Sequence, residues 1–126
     1  MRFAFLPLFA ACTPRAPADS ARGGSAVPVT EVVTFRLIPG VSDPDFVGHA
    51  RSTEAALAAQ PGFLRRSLLR DASGLWTDLV AWRSLTDAEA AARAMMTDAG
   101  FAPFMAAIDM GSVRMQHLAV LWQMGD

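Results

Sequence analysis

The sequence has few of the residues on which compact catalytic motifs depend. Its 126 residues include one cysteine, Cys12, and two histidines, His49 and His117. One cysteine cannot form an internal disulfide, and two distant histidines do not have the spacing of a zinc site. The sequence contains no phosphate-binding loop, dinucleotide fingerprint or serine nucleophile motif. We therefore expect neither a bound metal nor a nucleotide cofactor.

The sequence also has no concentration of positive charge. Eleven basic residues are balanced by twelve acidic ones, which gives a formal net charge of -1. A nucleic-acid-binding protein normally carries a basic patch, so nucleic acid is excluded as a partner. The 52% hydrophobic content is ample for a packed core, and the length predicts one domain.

The N-terminal segment, residues 1–12, has the layout of a short signal sequence. Arg2 precedes an apolar stretch that is too short to span a bilayer, and small residues stand directly before Cys12. This order resembles a bacterial lipobox and predicts lipidation of Cys12, with a membrane tether at the cell envelope. The alternative is a disordered N-terminus on a cytoplasmic protein. Residues 13–28 are rich in Pro, Ala, Gly and Ser and predict a flexible linker.

Residues 29–126 contain alternating strand and helix patterns. The first helix should begin at the cap Ser42 and reach Ala59. The second should begin with a capping box from Thr86 to Glu89. It should end near Met96 or Thr97, with Gly100 as its C-terminal cap. A short helical turn is expected after Pro103. The predicted strands are Val29–Ile38, Phe63–Arg70, Trp76–Arg83 and Val113–Met124, with a hairpin loop at residues 71–74.

This order predicts an α+β domain of ferredoxin-like βαββαβ type. Its four-stranded antiparallel sheet should have the spatial order 4-1-3-2, with both helices on one face. In the first strand Val32 and Thr34 alternate with Val33 and Phe35, so both sheet faces are apolar. Two helices cover only one face. We therefore predict a homodimer in which the open faces of two sheets pack together into a barrel-like core, and we expect the site to depend on that assembly.

Several of these features together resemble the dimeric α/β-barrel superfamily, which includes the antibiotic-biosynthesis-monooxygenase-like and stress-responsive barrel domains. The residues that carry the resemblance are Pro61-Gly62-Phe63, the strand from Trp76 to Trp82, the alanine-rich second helix and His117. The superfamily contains cofactor-free oxygenases, haem-degrading enzymes, small isomerases and members without a known reaction. The resemblance thus implies a cofactor-independent monooxygenase-like protein acting on a small aromatic or polyketide-like molecule. The absence of tyrosine removes a residue that such oxygenases often use for proton transfer.

The candidate site residues lie on strands at alternating positions. With the first and third strands taken as parallel neighbours, Glu31 and Asp78 would meet at one end of the sheet. We predict that His117 acts as a general base and that Asp78 orients it or holds a substrate hydroxyl. Trp76 and Trp82 would stack on a planar substrate, and Glu31 would contribute to substrate binding.

Each of these assignments has a structural alternative. His117 could be a hydrogen-bonded interface residue, and Asp78 could pair with Arg65 or Arg83. The tryptophans could serve only in packing. His49, in the first helix, is assigned to substrate binding if it faces the cleft between helix and sheet rather than solvent. The function alternatives are accordingly an enzyme and a non-catalytic small-molecule-binding or dimerisation module.

Overall fold

The computed structural model describes residues 26–125. The predicted signal segment with Cys12, and most of the predicted linker, lie outside this range. Within the described range, no helix has both the length and the apolar character needed to cross a membrane.

The elements follow one another in the predicted order. They are β1 (Val29–Leu37), α1 (Asp43–Arg51), α2 (Glu54–Ala58), β2 (Phe63–Arg70), β3 (Trp76–Trp82), α3 (Leu85–Met95), a 3₁₀ turn (Ala99–Phe101), α4 (Ala102–Ala106) and β4 (Ile108–Ala119). The strands form one sheet of order β2-β3-β1-β4, in which every neighbouring pair is antiparallel. The ferredoxin-like α+β fold and its predicted strand order are confirmed.

The assumption that the first and third strands run parallel is wrong. β1 pairs with β3 in antiparallel register, with Glu31 opposite Val80 and Val33 opposite Asp78. The reason is topological: a tight hairpin joins β2 to β3 and reverses the chain, whereas the helical crossover makes β2 run in the same direction as β1. Residues directly opposite each other share a face. Glu31 and Asp78 therefore do lie on the same face, as diagonal neighbours.

The first predicted helix is interrupted. The cap is confirmed, because the Ser42 hydroxyl accepts a hydrogen bond from the Asp45 amide at 3.2 Å. The helix stops at Arg51, however, and α2 starts only at Glu54. At the break, the hydroxyl of the fully buried Thr53 donates to the Ala50 carbonyl at 2.6 Å. Hydroxyl side chains that bond to the backbone in this way compete with regular helix.

The predicted capping box is also wrong. α3 begins at Leu85, two residues earlier than expected, and its cap is Ser84, whose hydroxyl accepts from the Asp87 amide at 3.1 Å. Glu89 is 7% exposed and belongs to the inner face of the helix. Gly100 is not the C-terminal cap, because the helix ends at Met95 and Gly100 lies in the following 3₁₀ turn.

The last strand begins and ends earlier than predicted. Ile108 and Asp109 already pair with β1, after an irregularity in register between Thr34 and Arg36. The predicted helical turn before it is present as α4. β4 runs from Ile108 to Ala119 and therefore includes Gly111.

The core lies between the sheet and the helices, in two adjoining clusters. The first is aromatic: Phe46 of α1 has no exposed surface, and its ring centroid lies 4.9 Å from those of Trp76 and Phe104. The second contains Trp82 together with small residues of α3. The opposite sheet face is uncovered, and its leucines Leu69 and Leu118 are each 46% exposed.

Candidate functional site

A cavity of about 600 Å³ lies between the helices and the sheet of a single chain. Its floor includes Val33, Phe35 and Val80, and its roof comes from α3, the 3₁₀ turn and α4. A volume of this size and apolar character suits a small organic molecule. The cavity thus lies on the helix-covered face of the sheet. The expectation that the site depends on packing of the open faces stays a prediction.

Few polar side chains reach the cavity wall, and Glu31 of β1 is one of them. The indole N–H of Trp82 donates to Glu31 Oε1 at 3.3 Å, and His117 Nε2 lies 3.1 Å from Glu31 Oε2. The register brings these groups together, because Glu31 is directly opposite His117 and next to the pair formed by Val29 and Trp82. His117 does not line the cavity. Of the acid–base side chains Glu31 and His117, Glu31 is therefore the one that a ligand in the cavity would meet.

Glu89 is a buried acid that the sequence reasoning did not place at the site. Burial raises the pKa of its carboxyl above the usual range, while the nearby charges of His117 and Arg93 act in the opposite direction. Glu89 Oε2 and His117 Nδ1 are both buried and have no hydrogen-bond partner among the described residues. The sequence analysis assigned Glu89 to a capping box with Thr86, and a capping glutamate is expected at the helix surface. For that reason Glu89 was not predicted to be buried.

Asp78 forms a two-point ion pair with Arg66. The Arg66 Nε and Nη2 donate to the two carboxylate oxygens at 2.9 and 2.8 Å, and Nη1 donates to the Thr53 hydroxyl at 2.7 Å. The guanidinium also lies 5.2 Å from the ring centre of Phe104. Both Asp78 and Arg66 line the cavity, so this ion pair adds a fixed positive and negative charge to its wall.

The partner of Asp78 is neither Arg65 nor Arg83. A bulge in β2 explains the difference: Phe63 pairs with Trp82, yet Arg65 pairs with Ala81 and Arg66 with Val80. Strict alternation from Phe63 would have turned Arg65 inward. The extra residue at the bulge shifts the alternation by one, so that Arg66 faces the cavity instead.

The structure brings four of the six predicted catalytic and binding residues together. Glu31, Asp78 and Trp82 line the cavity, and His117 contacts Glu31 from behind. Trp76 packs in the aromatic core and is not part of the cavity wall. His49, on α1, is partly exposed and also lies outside the wall. The catalytic and binding roles assigned to these residues stay predictions.

Methionine is unusually abundant in the cavity wall. Five of the seven methionines of the chain line it, namely Met95, Met96, Met105, Met110 and Met115. Within residues 26–125, no group of three or more His, Cys, Asp or Glu side chains is arranged to hold a metal ion. The methionine side chains are long and unbranched, so they fill irregular space and can rearrange around a ligand.

Comparison with solved structures places the chain in a class by its fold. No family model matches the sequence, and a search of the curated proteins finds no match. Solved structures do match, and they show that the chain shares the fold of proteins described as a cofactor-independent oxygenase and as antibiotic biosynthesis monooxygenases. The resemblance inferred from the sequence is thus confirmed.

Three of these structures illustrate the range of the class. A variant of SnoaB, a cofactor-independent oxygenase from Streptomyces nogalater, matches with a TM-score of 0.61 and 21% identity, over 80% of this chain and 100% of SnoaB. A candidate antibiotic biosynthesis monooxygenase from Chloroflexus aurantiacus gives 0.60 and 14%, over 78% and 97%. A haem-degrading protein from Mycobacterium tuberculosis gives 0.55 and 19%, over 80% and 99%. Identities this low establish the shared fold and not a shared reaction.

Proposed function

We propose that the protein is a cofactor-independent monooxygenase-like enzyme that acts on a small aromatic or polyketide-like molecule. The observation that carries the proposal is the carboxylate of Glu31 at the wall of an apolar cavity of about 600 Å³. A carboxylate in such a setting can accept a proton from a bound hydroxyl group. The fold shared with SnoaB, a cofactor-independent oxygenase, supports the same class.

The proposed reaction starts with deprotonation of a phenol-type substrate. The substrate O–H bond breaks, the proton moves to Glu31, and the electron pair stays on the substrate oxygen. The electron-rich anion then bonds through a ring carbon that carries hydrogen to molecular oxygen, and the proton returned by Glu31 completes a hydroperoxide. Loss of water breaks the O–O bond and the C–H bond of that carbon, which leaves a quinone carbonyl; oxygen is the oxidant and one of its atoms stays in the product. Arg66 uses three N–H groups on Asp78 and Thr53, so it retains others for the substrate anion. The apolar wall keeps water away from the anion.

His117 has an indirect part in this scheme. Because Glu31 lies between His117 and the cavity, we assign proton removal to Glu31 and assign His117 to holding that carboxylate in place. In this proposal His117 positions the base and does not remove the proton itself, which differs from the direct role predicted from the sequence. Trp82 restrains the other carboxylate oxygen.

Oxygen uptake with hydroquinone-type substrates tests the proposal. Purified protein should consume oxygen, and Glu31→Gln should lower the rate by about 100-fold, the usual contribution of a general base. Glu54→Gln is a matched control, because Glu54 is an exposed glutamate in the first turn of α2. An unchanged rate in a folded Glu31→Gln protein would remove Glu31 from the mechanism.

A non-catalytic small-molecule-binding module is the second candidate. The observation in its favour is that both oxygens of each cavity carboxylate are already engaged, those of Asp78 by Arg66 and those of Glu31 by Trp82 and His117. Calorimetry separates the two candidates, since a module of this kind would bind the aromatic ligand without consuming oxygen.

We also propose that the open sheet face mediates a homodimer. Val32 and Leu79 form the centre of this face, and the exposed Leu69 and Leu118 flank it. Size-exclusion chromatography with light scattering at low micromolar concentration should give a dimer. Leu118→Glu should shift it to the monomer without loss of the cavity. A wild-type monomer would contradict the assembly.

We also propose, from the sequence alone, that Cys12 is lipidated and tethers the protein at the cell envelope. Intact-mass measurement after expression with the native N-terminus tests them directly. Cleavage before Cys12 with an added acyl mass would support the tether, and an unprocessed chain would favour the cytoplasmic alternative.

A further inference from the structure

Two buried polar atoms near the cavity have no hydrogen-bond partner among the described residues. They are Nδ1 of His117 and Oε2 of Glu89. Buried polar groups are nearly always satisfied, because losing water without a replacement partner is costly. Two such atoms in one region therefore call for a common explanation, and their chemistry is complementary.

The hydrogen bonding of His117 defines what Nδ1 needs. A carboxylate can only accept, so the contact of 3.1 Å to Glu31 is made when Nε2 carries the proton. In the neutral ring Nδ1 is then an acceptor and requires a donor. A protonated carboxylic acid is such a donor, and burial favours the protonated form of Glu89 by raising its pKa.

The fold places Glu89 and His117 between α3 and the sheet. Glu89 lies on the inner face of α3, beside Ala88, which packs in the second core cluster with Trp82. His117 extends from β4 on the sheet face that α3 covers, because it lies opposite Glu31. The charged groups around Glu89 are His117 from β4 and Arg93 from its own helix, and Glu31 from β1 lies on the far side of the imidazole ring.

We propose that Glu89 is a positioning residue that fixes the tautomer of His117, so that Nε2–H is directed at the Glu31 carboxylate. In the structure Glu89 Oε2 and His117 Nδ1 do not bond to each other. A rotation of the Glu89 side chain that joins them would complete a hydrogen-bond chain from α3 through β4 to the cavity wall. Its meaning for catalysis rests on the proposed function, since it holds Glu31 ready to accept the substrate proton. The contact between His117 and Glu31 is the observed part of this arrangement, and the bond between Glu89 and His117 is the inferred part.

The ¹⁵N spectrum of histidine-labelled full-length protein tests the inference without any substrate. The chain has two histidines, so a His49→Asn variant assigns both rings. At a pH where the ring is neutral, His117 should show the Nε2–H tautomer alone. Glu89→Ala should give a mixture of both tautomers, and Glu89→Gln should restore the single form because its amide N–H donates to Nδ1. Glu54→Gln is the exposed control.

Oxygen uptake provides the second readout. Glu89→Ala should lower kcat by at least about tenfold with little change in KM, and should alter the pH profile, because a wrong histidine tautomer impairs proton transfer. Glu89→Gln should recover most of the rate. Alanine is a strong helix former, so α3 should remain folded in the alanine variant.

The two readouts separate this inference from the proposed function. A tautomer mixture in Glu89→Ala supports the inference even if the wild-type protein consumes no oxygen, in which case only the proposed function fails. A single, unchanged His117 tautomer in Glu89→Ala would overturn the inference, and oxygen consumption by the wild-type protein would then leave the proposed function standing.

Discussion

Breaking the ion pair between Arg66 and Asp78 by removing one partner should strongly destabilise the domain. The two side chains are only 13% and 11% exposed, and two charge-assisted hydrogen bonds of 2.9 and 2.8 Å join them. Replacing Arg66 by methionine would preserve contact with the neighbouring ring of Phe104 but leave a buried carboxylate unpaired. Loss of one partner of a buried pair costs about 3–5 kcal/mol. We expect Arg66→Met and Asp78→Asn each to lower the free energy of unfolding by roughly 3 kcal/mol or more.

A double-mutant cycle measured by urea unfolding checks this expectation. The double variant should lose less than the sum of the single losses, with a coupling energy of about 2 kcal/mol. Arg70 and Asp43 are a matched control, since they form an ion pair of 3.0 Å but are 38% and 55% exposed. Their coupling should stay below about 1 kcal/mol. Equal coupling energies in the two cycles would refute the reasoning, because burial would then have no effect on the strength of the pair.

Three further predictions concern the acid in α3, a tight turn and the aromatic core. Glu89→Gln should stabilise the protein near pH 7, because the raised pKa of Glu89 means that the folded state binds the proton more tightly and loses stability as pH rises through that pKa. The gain, followed by urea unfolding across pH, should vanish below the usual glutamate value of 4.5. Gly62→Ala should cost more than Gly40→Ala in thermal unfolding, since both have positive φ but only at Gly62 would a Cβ collide with Asp87. Phe46→Ala should lower the free energy of unfolding by about 3–5 kcal/mol, because its fully buried ring contacts other aromatic rings.

Each of these three predictions has a contradicting result. A Glu89→Gln protein that is less stable than wild type at neutral pH would show that the buried acid is ionised and paired. Equal melting temperatures for the two glycine variants would mean that the carboxylate of Asp87 moves aside freely. A loss below about 1 kcal/mol at Phe46 would imply that the core collapses into the vacated space.

The sequence predicts the fold well because the signals that determine it are local. Strand alternation, the Ser42 cap and the glycine in the hairpin loop each act over a few residues, and Gly74 has the expected positive φ of 92°. The strand order then follows from chain connectivity. Local signals fail where two of them compete, as at Ser84 and Thr86, where either hydroxyl could have capped α3.

The candidate site was predictable only in part, because it depends on register. Alternation assigns faces only within a strand, so the common face of Glu31 and Asp78 had to be assumed. The contact between Glu31 and His117 likewise requires knowing which residues of β1 and β4 are opposite each other. Arg66 was missed since one extra residue in β2 reverses which arginine points inward. Strand propensity contains no information about such a bulge. Long-range pairing, rather than local pattern, therefore determined the parts of the site that the sequence did not reveal.

The five thioether side chains around the cavity have a consequence for oxidative damage. Sulfur in a thioether is readily converted to the sulfoxide, which is polar and stiffer than the parent side chain. If partly reduced oxygen species form in the cavity, the sulfur atoms in its wall are readily oxidised. Each sulfoxide would make the cavity wall more polar. If the proposed oxygenase activity holds, oxidation of these side chains would limit the working life of the protein, and repair by a sulfoxide reductase would restore it.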